Sequence, residues 1–405
     1  MPCLREALAA LPDPRRARGV RHELLVVLVL ACCAVLAGNS SYVAIAEWVT
    51  DSGPAVLDAV GWGTLATGRP LPCESTIRRL LNSIDAPALE AALCSWAARR
   101  LAGQRRLDPT RRLLPRAERT RVIALDGKTR RGSAQRGAPE ADAIAAAGGG
   151  RVHLVAALDV EAGVVLGQAA CDMVAGKGEE IATAASVLSD LRQRGLLAGA
   201  VVTMDALHTQ RSQADYLHDA GADWIFTVKG NQPTLQARLK ALNWADVPVG
   251  DRIRDVGHGR RETRTVYVMS IENIPDRDRY GVVEFFPHAA QAIKLIRRVR
   301  RRDGRWHTET VYAIPSLTYR DAHPGLLAAW IRGHWRIENS LHWVRDVTFG
   351  EDTSQVRVGS GPQVLSALAN LAISALRLEG AVNIAAELRR HARDPLRTLV
   401  TFGLT

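Results

Sequence analysis

Residues 121–129 read Arg-Val-Ile-Ala-Leu-Asp-Gly-Lys-Thr. An apolar run, Val122 to Leu125, ends on Asp126. Residues 199–205, Gly-Ala-Val-Val-Thr-Met-Asp, repeat the arrangement and end on Asp205. Each run has the length and β-branched content of a buried strand. An acid closing such a strand is costly unless it is paired or binds metal. Two such acids on neighbouring strands can share hard cations through their oxygens. Taken singly, each also reads as an aspartate capping the loop after its strand.

Around these two runs the pattern alternates. Val152 to Val160 and Gly163 to Gln168 read as strands joined at Glu161-Ala162, as in a hairpin. The Ala/Gly-rich stretch from Gly137 to Gly150 reads as a flexible loop. Glu179 to Leu191 has helical periodicity, Gln213 to Ala220 is a second helix, and Trp224 to Val228 is a strand ending in Lys229-Gly230-Asn231-Gln232. Hairpin strands followed by alternating helices and strands imply a mixed sheet with helices on its faces. Farther on, Thr263 to Met269, Gln291 to Val299 and Thr308 to Ile314 read as β, with a dense arginine group from Arg297 to Arg305 at a turn. Helical periodicity returns from Gly325 to about Arg345 and from Pro362 to Leu378.

Towards the N-terminus the chain reads as helical. Leu24 to Ala37 is an apolar run too short to span a bilayer, and it reads as a buried helix. Tyr42 to Val49 is a helix that a serine can cap, and Asp85 can cap another running from Pro87 to Leu101. Such short helices, one of them beginning Ser75-Thr76-Ile77-Arg78-Arg79, suit either a DNA-binding helix-turn-helix or a plain bundle. Eight arginines between Arg99 and Arg119 share a polar stretch with prolines, which predicts a linker that contacts phosphates. The layout is thus 1–98 helical and DNA-binding, 99–120 basic linker, 121–248 first part of an α/β core, 249–318 β-rich insertion, and 319–405 C-terminal helices.

With 405 residues, 47% of them hydrophobic, the chain can bury a substantial core and is not disordered. A net charge of +11 favours a polyanionic partner. The six cysteines form no C-x-x-C pair, which argues against a disulfide framework or zinc site and for an intracellular protein. The chain lacks both G-x-G-x-x-G after its first strand and a G-x-x-x-x-G-K-[ST] loop, so a nucleotide-binding enzyme is disfavoured.

A third acid stands in the stretch Trp330-Ile331-Arg332-Gly333-His334-Trp335-Arg336-Ile337-Glu338-Asn339-Ser340-Leu341-His342-Trp343. On an α-helix Trp335, Glu338 and His342 share a face, with Arg345 one turn along. Several blocks here resemble the DDE transposases of insertion sequences, in their H-repeat-associated branch. The blocks run in order along nearly the whole chain. They are Ile123 to Thr129, Arg131-Gly132-Ser133, Val165 to Gln168, Lys177 with Glu180-Ile181, Asp205-Ala206 with Gln210, Val228 to Gln232, Gly257 to Arg260, and His334 to Asp352.

The resemblance implies an RNase H-like catalytic domain interrupted by a β-rich insertion, with Asp126, Asp205 and Glu338 as catalytic, metal-holding residues. It implies Mg2+ or Mn2+, double-stranded DNA as partner, a homodimer or higher oligomer on DNA, and a bacterial cytoplasmic, nucleoid-associated setting. The wider class also carries a tyrosine, an arginine and a lysine spaced Y-(2)-R-(3)-E-(6)-K. Here Ile331, His334 and Arg345 stand in those places. Lys128, Lys229, Arg332 and Arg345 are the candidate DNA contacts, and His208, His258, His334 and His342 are candidate positioning groups. The expected reaction is metal-dependent cleavage followed by strand transfer. The rival readings are a domesticated or inactive transposase that only binds DNA, and an RNase H-like nuclease that cuts without joining.

Overall fold

A computed structural model describes residues 3–63, 70–108, 110–133, 151–171, 178–257, 260–271, 276–278, 281–283, 285–300 and 304–405. The Ala/Gly-rich loop expected at 137–150, together with Lys177 and His258, lies outside them. The described strands are β1 Val122–Thr129, β2 His153–Asp159, β3 Val164–Ala170, β4 Val201–Met204, β5 Asp223–Val228, β6 Asp251–Gly257, β7 Arg260–Ser270, β8 Asp276–Asp278, β9 Gly281–Val283, β10 Gln291–Arg300 and β11 Trp306–Pro315. Nine of them form one sheet in the order β3-β2-β1-β4-β5-β11-β10-β7-β6. β1, β4 and β5 pair parallel, whereas β2–β3 and β5–β11 pair antiparallel. This is the mixed, helix-flanked sheet expected of an RNase H-like core.

The chain divides into two compact units, one of residues 1–109, 127–187 and 337–405 and one of 110–126 and 188–336. In the first, helix α1 (Leu24–Leu36) is apolar all round and buried, as a helix of that kind must be. The Ser41 hydroxyl caps α2 (Tyr42–Asp51) by accepting from the Ala44 amide, and Asp85 caps α3 (Ala86–Leu107) by accepting from Ala88. A helix at Glu74–Ser83 starts at Cys73 without a side-chain cap. Almost every residue of α4 (Gly361–Leu378) is buried, and it packs on α1, α3 and β3.

The helix α3 runs through residues 99–107, where a linker was expected. Arginine, alanine, leucine and glutamine are all good helix formers, and charge density alone does not end a helix. The arginines there serve the fold. Arg100 is buried, donates to the Thr401 carbonyl and pairs with Glu379, while Arg105 pairs with Asp159 and Glu161.

In the second unit, β4 and β5 are followed by α5 (Arg211–Asp219) and α6 (Pro233–Ala241), and the antiparallel strands β11, β10, β7 and β6 extend the sheet. The helix α7 (Pro324–His334) packs against β4, β6 and β7. β6 has no counterpart in the sequence reading. Its sequence, Asp-Arg-Ile-Arg-Asp-Val-Gly, is mostly charged because an edge strand is wetted and carries little apolar alternation.

Candidate active site

The register of β1 on β4 sets the two aspartates level. Leu125 pairs with Met204, and Asp126 and Asp205 are the next residues in the chain. Asp205 follows the end of β4 as expected, whereas β1 runs on to Thr129, so Asp126 lies within its strand and does not close it. Asp205 keeps an extended backbone (φ −73°, ψ 177°). Neighbouring strands lie about 4.8 Å apart, so the two residues start one strand spacing from each other. One Asp205 oxygen accepts from the Leu207 amide at 2.9 Å, so the capping role is real, and no described residue is paired with the other oxygen.

The loop after Asp205 is clasped by the turn after β5. Asn231 donates its side-chain amide to the Ala206 carbonyl, Gln232 donates to Thr209 at 2.7 Å, and the Thr209 hydroxyl donates to Thr227 at 2.6 Å. The Lys229 to Gln232 turn thus holds the Asp205 loop through its amides, while Lys229 stays exposed. At the end of α7, His334 Nδ1 lies 3.1 Å from the Thr203 hydroxyl, which also reaches the Ile123 carbonyl at 3.4 Å. His334 therefore ties α7 to β4. Arg332, half-exposed, lies 3.4 Å from Asp255, and His208 is buried.

Beyond α7 the helix widens. Glu338–His342 and Val344–Thr348 are π-helical. Each π turn closes on the fifth residue rather than the fourth, and such widened turns recur at functional sites. The Glu338 carboxylate is half-exposed and 3.5 Å from Nδ1 of buried His342. Burial holds the imidazole below its usual range, against the raising effect of Glu338. Glu338 and His342, both in the first unit, each offer an atom that can hold a metal ion. A carboxylate and an imidazole fit a hard to borderline divalent cation.

Two of the candidate DNA contacts are engaged within the protein. Arg345, expected one turn along the Glu338 face, is fully buried. It donates to both Glu351 oxygens at 2.7 and 2.6 Å and to Gln168 at 3.1 Å. The wider π turns carry it off the α-helical face and into the core. Lys128 lies 2.7 Å from Asp346 and 3.7 Å from Asp352, and only 9% of its side chain is exposed. Both basic groups are occupied by carboxylates of the Asp346 to Asp352 stretch.

Sequence reasoning gave no role to two neighbours of β1, although Glu180 stands in one of the matching blocks. His153 Nε2 lies 3.1 Å from Glu180, and its Nδ1 lies 2.8 Å from the Thr129 hydroxyl. A Cβ on Gly127 would fall 2.5 Å from the Glu180 carboxylate and 2.6 Å from His153, so any other residue there must displace one of these side chains. That glycine, directly after Asp126, was the available signal for a close approach.

A sheet of this order, with two level aspartates and an acid beside an imidazole at Glu338, points to one class of enzyme, and sequence comparison agrees. Residues 117–374 match the family profile described as Transposase DDE domain, and residues 5–97 match the one described as DDE_Tnp_1-associated. The chain belongs to the DDE transposase family. YncI of Escherichia coli O157:H7, provisionally named a transposase, is 29% identical over 384 residues, covering 92% of this chain and 87% of its own length. YhhI of Escherichia coli K12, whose name associates it with H repeats and transposition, is 28% identical and covers 92% of this chain and 90% of its own length. A piggyBac transposase chain, solved in a synaptic complex with hairpin DNA, aligns over 99% of this chain and 77% of its own at 9% identity, with a TM-score of 0.40. No helix among the described residues is long and apolar enough to cross a membrane.

Proposed function

We propose that the chain cuts and joins double-stranded DNA at the ends of an insertion sequence, with Asp126, Asp205 and Glu338 as the catalytic carboxylates. The observation that carries this reading is the level placement of Asp126 and Asp205 beside one another along β1 and β4, in a chain of this family. Asp205, level with Asp126 and with an oxygen to spare, is the third ligand in this reading. Bound by these groups, Mg2+ or Mn2+ supplies charge to activate the attacking hydroxyl and to stabilise the departing oxygen. Carboxylate donors suit both ions.

The protein's own work is to hold these groups still. His342, neutral and buried, orients Glu338. Asn231 and Gln232 fix the loop that carries Asp205, and Gly127 leaves room for Glu180 and His153. In the cutting step water attacks phosphorus and the 3′-oxygen leaves with a proton. In the joining step that 3′-hydroxyl attacks a target phosphorus and displaces another 3′-oxygen. Neither step needs a covalent bond to the enzyme. Lys229 and Arg332 remain the proposed phosphate contacts, and a homodimer would bring two element ends together in the bacterial cytoplasm.

The test is excision of the surrounding element in cells, comparing the intact protein with Asp126→Asn, Asp205→Asn and Glu338→Gln. Excision by the intact protein that is lost in all three supports the reading. Excision that survives any one of them removes that residue from the triad. A protein that binds DNA but never excises, with the element ends present, is a DNA-binding relative without catalysis.

A further inference from the structure

The pairing register of β6, β7, β10 and β11 sorts their charges by face. Directly opposed residues on paired strands share a face. One face carries the rows Val256–Arg261–Arg300–Trp306, Arg254–Thr263–Arg298–Thr308, Arg252–Thr265–Ile296–Thr310 and Tyr267–Lys294–Tyr312. It holds Arg252, Arg254, Arg261, Lys294, Arg298 and Arg300 and not one carboxylate. The other face carries Asp251, Asp255, Glu262 and Glu309.

The acidic face is spent internally. Glu262 pairs with Arg264 at 2.6 Å and Arg297 at 3.0 Å, Arg297 also reaches Glu309, and Asp255 meets Arg332 of α7. The basic face is open. Arg252, Arg254, Arg261, Arg298 and Arg300 are all exposed, and among the described residues none of them has a carboxylate partner. Arg298 stacks on Trp306, with its guanidinium 5.2 Å from the ring, and Trp306 is 47% exposed. Hydroxyl donors from Thr263, Thr265, Thr308 and Thr310 lie between the cations.

An unneutralised basic sheet face has a strong field and attracts a polyanion. We propose that this face of the β-rich insertion binds the phosphate backbone of duplex DNA. Arginine forks suit phosphate oxygens, and threonine hydroxyls add hydrogen bonds to the same backbone. The assignment rests on the DNA-processing reading above and adds to it a surface on the β-rich insertion.

The test measures duplex binding by the full chain across a range of salt concentrations. The pair Arg254→Gln with Arg298→Gln is compared with Arg389→Gln and Arg393→Gln, which remove the same charge from an exposed helix, Ile384–Arg393. Loss of two phosphate contacts lowers the slope of log affinity against log salt by about 1.8 for the sheet pair alone. Equal changes in both pairs, or no change in the sheet pair, overturn the face while leaving DNA binding intact. A wild-type chain with no salt-dependent duplex binding overturns the face and the DNA-processing reading together.

Discussion

Arg345 grips both oxygens of Glu351 from a position with no exposure to solvent. The pair is the centre of a buried polar cluster. Arg345 also reaches Gln168, which accepts from Asn370 at 2.7 Å and donates to Glu90, while Ser366 joins Glu351 to Arg130. Burial alone would raise the Glu351 carboxyl, but the charge and hydrogen bonds of Arg345, with Arg130 and Lys128, bring it down to about 2. The cluster fixes the π-helical segment against β3 and α4.

Removing one member of that pair strands the other. Arg345→Met is expected to destabilise the protein by roughly 3–5 kcal/mol, read by chemical denaturation. Arg345→Lys keeps the charge but loses the bidentate fork, and is expected to fall between wild type and methionine. Both variants should keep the wild-type salt dependence of DNA binding. A lowered salt slope in Arg345→Lys would return this residue to the DNA surface.

Gly127→Ala pushes a methyl group into Glu180 and His153. Displacement of β1 beside Asp126 is expected to cut metal-dependent DNA cleavage by about a hundredfold, with duplex affinity within a factor of two or so of wild type. Cleavage at the wild-type rate would show that the Glu180–His153 pair yields freely.

Asn231→Ala removes the amide that holds the Ala206 carbonyl beside Asp205. The expected result is roughly a tenfold fall in the cleavage rate at saturating DNA with little change in the DNA concentration needed for half-maximal rate. A rise in that concentration alone would instead mark Asn231 as a DNA contact.

Glu90 gives a pH signature. Burial lifts its carboxyl to about 7, against hydrogen bonds from Gln168 and Gln363 and the charge of Arg345. Its folded value lies above the unfolded value of 4.5, so the folded state binds the extra proton between pH 4.5 and about 7. Stability contributed by this group is therefore present at low pH and declines as pH rises through that window. Glu90→Gln is expected to flatten the decline and to melt higher than wild type at pH 8, by up to roughly 3 kcal/mol in stability. A variant less stable than wild type at pH 8 would show that the ionised carboxylate is needed there.

The two aspartates were legible because each closes an apolar run. The register of β1 on β4 puts them level, but only Asp205 follows the end of its strand, since β1 continues through Asp126 to Thr129. Glu338 was legible through its surrounding block. The π-helical widening was not, because residue types do not distinguish a turn that closes on the fourth residue from one that closes on the fifth. That is why Arg345 was placed on the wrong face. The arginines at 99–107 were misread for a related reason. Charge density says nothing about partners such as Glu379 or Asp159, which lie far along the chain. β6 was missed because its alternation is of charge, not of hydrophobicity. The basic face of the insertion became visible only with strand pairing, since arginines stand on both faces in the sequence and only the register separates them.

The bonds from Arg100 to Glu379 and Thr401 and from Gln104 to the Leu378 carbonyl join the early part of the chain to its last residues. During synthesis α3 emerges long before these partners exist. The last turns of that helix must wait on the ribosome with their arginine and glutamine unanswered, and the first unit closes only as residues 378–401 leave the exit tunnel. A transcript cut short, or a ribosome stalled before that point, yields a chain that already holds all three proposed catalytic acids but lacks the final segment that seals the early helices.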